Sequence, residues 1–97
     1  MNMSYDPIAA MKNDMRPHFP DVEAIAEQAI YGALGSMDRG DAILLREYYC
    51  TGSKYKIPQT AFQIARRRTD TVHSIEAQLH IALIQLVTKI QQSPNPQ

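Results

Sequence analysis

Few side chains in this 97-residue sequence have the type and spacing for chemistry. The histidines are His18, His73 and His80, and Cys50 is the single cysteine. A zinc-binding helix needs two histidines at i and i+4, whereas His73 and His80 stand two turns apart. One cysteine excludes an intrachain disulfide and a cysteine-based zinc cluster. The sequence has no glycine-rich phosphate loop, nucleophile elbow or carboxylate pair. These absences predict a protein that is not an enzyme and that needs no metal or cofactor.

The charge pattern is more informative. Net charge is zero, yet residues 1–50 hold four Lys/Arg against eight Asp/Glu, and residues 51–97 hold six against two. Between Ser53 and Arg68 lie Lys54, Lys56, Arg66, Arg67 and Arg68, with no acidic residue. Guanidinium and ammonium groups so clustered can hold a phosphate backbone, giving affinity and salt dependence without much sequence information. Lys54 and Lys56 flank Tyr55, a ring that can stack on a base. A solvated loop accounts for the same letters, and a solvated helix end complementing its own dipole accounts for the arginines.

The elements that position these residues follow from periodicity. Residues 60–86, TAFQIARRRTDTVHSIEAQLHIALIQL, read as a short helix, a polar turn and a longer helix. Phe62, Ile64 and Ala65 belong to the first. Ile75, Leu79, Ala82, Leu83, Leu86 and Ile90 form one apolar stripe on the second. Thr69, Asp70 and Thr71 between them are all helix-capping types. The layout is that of a helix-turn-helix over residues 60–88. With Thr71 as the cap, Val72, His73, Ser74, Glu76 and Ala77 occupy the first turns of the reading helix. Arg, Lys, Asn and Gln are the usual base readers, so this face is poorly equipped for direct readout. A second stripe, Ala77, Ile81, Ile84 and Thr88, would leave little of the helix wetted. It predicts a homodimer or a docked partner, unless the N-terminal helix folds back over it.

The remaining segments also read as helices. Asp6-Pro7 starts a short one with Ile8, Met11 and Met15 on one face, ended by Pro17 and Pro20; residues 1–20 are an N-terminal arm or short helix. Asp21 is expected to cap a helix running through Val22, Ile25, Ala26, Ala29, Ile30, Ala33 and Leu34. Asp41 is expected to cap another with Ile43, Leu44, Leu45, Tyr48 and Tyr49, stopped by Gly52. Tyr48 and Tyr49 suit either a stacking platform or one packed ring beside a half-exposed one. Residues 21–90 form the helical domain and 91–97 a disordered tail. The expected fold class is all-α, a small bundle of four to five helices containing the helix-turn-helix. No apolar run reaches the ~18 residues of a membrane span, and no signal pattern opens the chain, so a cytoplasmic location in a bacterial host is expected.

The run Leu44-Leu45-Arg46-Glu47-Tyr48-Tyr49-Cys50-Thr51-Gly52 resembles the L-L-x-x-Y-Y-x-x-G run of the antitermination Q proteins of lambdoid phages. Ile64-Ala65 is similar to the I/L-A pair of that family's first motif helix, and Thr71 stands where its serine cap does. Ile75, Leu79 and Ala82 match its second helix, and the register is similar to sigma-factor region 4. The resemblance covers roughly residues 40–88. It implies a phage-type transcription regulator whose partners are DNA and the host RNA polymerase. Arg68 and Asp70 depart from it, standing where sigma-like motifs generally place apolar residues, and the segment between Gly52 and Ala65 is longer than usual. A second reading is a small phage-encoded inhibitor or adaptor that binds another host protein and no DNA.

Overall fold

Among the described residues there are five α-helices: α1 (Pro7–Met15), α2 (Glu27–Ser36), α3 (Arg39–Tyr49), α4 (Ala61–Arg68) and α5 (Val72–Gln92). Two 3₁₀ turns, Arg16–His18 and Val22–Ala24, link α1 to α2. The computed structural model describes residues 5–52 and 56–92, and among these there is no strand. The fold is an all-α bundle.

Each boundary has a local cause. The Asp6 carboxylate accepts from the backbone N–H of Ile8 and Ala9, with Pro7 at the first helical position. α1 then turns Ile8, Met11 and Met15 inward, and both methionines are fully buried. Residues 1–20 therefore include a core helix and not a detached arm.

The helix expected from Asp21 to Leu34 is broken. Asp21 makes no capping hydrogen bond, a single 3₁₀ turn follows, and Ile25 and Ala26 are extended before α2 starts. An apolar spacing of three and four is met equally by a 3₁₀ turn followed by a helix, so periodicity does not register the break. Lys12 donates to the Glu23 carbonyl at 3.3 Å and Arg16 pairs with the Glu23 carboxylate at 2.8 Å, which fastens this turn to α1. α3 begins earlier than expected because Asp38, not Asp41, is its cap: Asp38 Oδ2 accepts from the Asp41 N–H. Its stop is also earlier, at Cys50 in the left-handed region (φ 64°), with Gly52 following at φ 80°. At the other end, Gln91 and Gln92, expected to belong to a disordered tail, form the last turn of α5; 93–97 lie outside the described residues.

The core has two parts joined by α3 and α5. The larger gathers Met11 and Met15 of α1, Ile30 and Leu34 of α2, Leu45 and Tyr49 of α3, and Ala82, Leu86 and Val87 of α5. The smaller holds Leu44 of α3, Ile64 and Ala65 of α4 and Ile75 of α5. The C-terminal half of α5 thus anchors the bundle, and its N-terminal half carries the helix-turn-helix. The Tyr48 and Tyr49 rings meet edge to face, centroids 4.9 Å apart, with Tyr49 buried and Tyr48 half-buried. Burial and a hydrogen bond donated to Asp14 push the Tyr49 hydroxyl well above the usual tyrosine range.

Candidate nucleic-acid interface

α4 is set by a capping box: Thr60 Oγ1 accepts from Gln63 N at 3.1 Å and Gln63 Oε1 accepts from Thr60 N at 2.9 Å. It ends with Thr69 in the left-handed region, φ 56°, and with Asp70 N–H donating to Ala65 O at 2.9 Å. This is a Schellman closure with threonine where glycine is usual.

Asp70 and Thr71 then start α5. Thr71 Oγ1 accepts from Ser74 N at 3.0 Å, the expected cap. Asp70 accepts from Thr71 N, Ser74 Oγ and Gln78 Nε2, at 2.8, 3.3 and 3.3 Å. The backbone bond from Thr71, then those from Ser74 and Gln78 and the nearby Arg68 charge, hold its carboxyl below the usual range. A polar residue at this turn position therefore ties the turn together.

The basic residues are exposed but differently engaged. Arg67 and Arg68 converge on Glu47 Oε1 of α3, at 3.1 and 3.5 Å. Glu47 is buried, at 8% exposure, while both arginine side chains remain about one-third exposed. The Arg66 guanidinium lies 5.8 Å from the Phe62 ring centroid, a cation–π contact. Lys56 is exposed, and Lys54 lies outside the described residues. Gln59, Thr60, Phe62, Gln63, Arg66 and Arg67 line one open concavity. Sequence reasoning did not find Glu47, because its partners are about 20 residues away in the chain; its only signal was an acid on the apolar side of α3.

The reading-helix candidates divide. His73, Glu76 and Ala77 are exposed. Ser74 is half-buried and held by Asp70 and Gln78. Glu76 lines a groove of about 590 Å³ with Val72, Phe62, Tyr48 and Asp14, between α1, α3 and the start of α4. Of the second stripe, Ile81 is 54% exposed, Ala77 and Thr88 are exposed and Ile84 is half-buried. α1 packs against α3 and the 3₁₀ turns, so the alternative in which it folds back over the stripe is overturned. No family model, curated protein or solved structure matches the chain. Among the described residues, no helix is long and apolar enough to cross a membrane and no cluster of His, Cys, Asp and Glu could hold a metal ion.

Proposed function

We propose that the chain is a helix-turn-helix regulator of transcription, antiterminator-like and of phage type, that holds DNA by its phosphate backbone. The observation that carries this reading is the α4–α5 unit. Two capped helices joined by a three-residue turn share a buried Leu44–Ile64–Ile75 core and leave Arg66, Arg67 and Arg68 exposed at the hinge. In sequence, Lys54 and Lys56 belong to the same basic stretch. Thr71 caps the helix that enters the groove, and His73 and Glu76 offer it little base readout. Specificity then comes largely from a protein partner, which the resemblance names as host RNA polymerase.

The test is binding to mixed-sequence duplex DNA across a salt series. Five cations offset by Glu47 amount to roughly four effective phosphate contacts, so log affinity falls against log salt with a slope of about −4. Replacing Arg66, Arg67 and Arg68 by Ala abolishes binding. Failure to bind DNA even at low salt sinks the reading. The second reading, an inhibitor or adaptor that binds a host protein and no DNA, is favoured by exposed Ile81 on an outer face of α5 without charge.

A further inference from the structure

A helix on the outside of a small bundle normally carries charge on its wet face. α5 does not. Residues 77–88 hold no Asp, Glu, Lys or Arg, and the nearest charges in α5 are Glu76 and Lys89. On a helical projection the outward arc carries Ala77, His80, Ile81, Ile84 and Thr88, opposite the buried Ile75, Ala82 and Leu86. Ala77, Ile81, Ile84 and Thr88 are spaced four, three and four, which is the alternation of a coiled-coil seam.

We infer that this face binds a second copy of the chain, with the two α5 helices antiparallel. In that orientation Ile81 of each copy meets Ile84 of the other, and Ala77 meets Thr88. The seam closes on itself about a two-fold axis lying between Ala82 and Leu83. Absence of charge is what a self-pairing face requires, because any charge near the axis would meet its own copy. The antiparallel sense follows from the ends. Arg66, Arg67 and Arg68 sit at the N-terminal end of α5, so a parallel pair would crowd two arginine triplets. An antiparallel pair separates them by roughly the ~30 Å length of the helix and opposes the two helix dipoles. The face is narrow and about 17 Å long from Ala77 to Thr88, short of a standard interface of ~1,600 Å². A face this small predicts a weak dimer, and the micromolar range is the one to test. A second copy covers Ala77, which removes that residue from the groove-reading set. The inference does not rest on DNA binding, since the arginines belong to α4.

The experiment is sedimentation equilibrium from about 5 to 200 µM, a span that brackets micromolar association. The chain, its Ile81→Asp variant and Ile57→Asp are compared, with circular dichroism to verify folding. Ile57 is also an exposed large apolar residue but lies off the seam. Dimer is expected for the chain and for Ile57→Asp, while Ile81→Asp weakens association ~100-fold or more. A monomer throughout, or equal loss in both variants, overturns the inference. In a Cys50→Ser background, a mixture of Ala77→Cys and Thr88→Cys proteins should cross-link on oxidation while neither does so alone. Self-cross-linking of either single variant overturns the antiparallel register.

Discussion

Replacing Glu47 by Gln should lower stability and raise DNA affinity, two effects of opposite sign from one atom. Glu47 is nearly enclosed, and its Oε1 receives Arg67 at 3.1 Å and Arg68 at 3.5 Å. Exposed ion pairs are worth ~0.2–1 kcal/mol, and losing one partner of a buried pair costs ~3–5 kcal/mol. This cluster lies nearer the lower limit, because both arginine side chains reach water and Gln retains an acceptor oxygen. A loss of about 1 kcal/mol follows, seen as a fall in Tm of ~4–8 °C for a domain of this size. In the proposed DNA complex the same carboxylate would compete with phosphate for the two guanidinium groups. Its removal adds about one effective phosphate contact, steepening the salt slope by ~0.9. A gain of ~1 kcal/mol would appear as about fivefold tighter binding at low salt. Fluorescence anisotropy of a labelled duplex across a salt series measures both quantities on protein shown to be folded. Unchanged or weaker DNA binding by a folded Glu47→Gln protein would refute the view that Arg67 and Arg68 are shared between Glu47 and phosphate.

Three further outcomes follow from the same geometry. Thr69 is β-branched at φ 56°, so Thr69→Gly should relieve strain and raise stability by about 1 kcal/mol; thermal melts that show no gain would place the strain elsewhere. The Asp70 carboxyl is held below its ordinary value of 3.8. Its contribution is therefore complete above that pH and lost as pH falls through the lower folded value. Asp70→Asn should flatten the acid limb of stability below about pH 4, read by urea titration at several pH values, and an unaltered limb would contradict the turn network. Met15→Ala should cost ~2–5 kcal/mol by leaving a cavity in the main core; a change under ~1 kcal/mol would mean that α1 is dispensable.

How much of this was legible in the sequence depended on whether a feature is local. The unit from Thr60 to Leu86 was legible because its signals are close in the chain: Thr60 with Gln63, Thr71 with Ser74, and a stripe from Ile75 to Leu86 on one helix. The outer stripe was legible for the same reason, and Ile81 is as exposed as its position opposite the seam requires. Asp21 misled because it precedes an apolar run of helical spacing, yet the chain has to turn from α1 onto α2 within that run. Asp38 and Asp41 lie one turn apart, both are good caps, and only the backbone shows which is used. The pairing of Glu47 with Arg67 and Arg68 was invisible, because it depends on how α4 crosses α3.

That pairing also bears on how the basic end of α4 can act. Arginine side chains usually lose rotamer freedom when they bind phosphate, at a cost of up to ~2 kcal/mol each. Arg67 and Arg68 must also give up Glu47, which burial on α3 fixes in place, before phosphate can take them. The helix beneath them is fixed too, through Ile64 and Ala65 packed on Leu44 and Ile75 and through the Schellman closure onto Ala65. α5 in turn is clamped at both ends, by Asp70 and Thr71 at its start and by the main core around Leu86. The hinge therefore presents Arg66, Arg67 and Arg68 on a scaffold whose ordering cost is met in folding, and the opposing carboxylate limits how strongly it holds any polyanion. A weak, salt-sensitive and sequence-tolerant grip is what such an arrangement supports. If that grip is used on DNA, selectivity has to come from a second contact, and pairing of two copies through the uncharged outer face of α5 would supply one by setting a second basic hinge at the far end of the dimer.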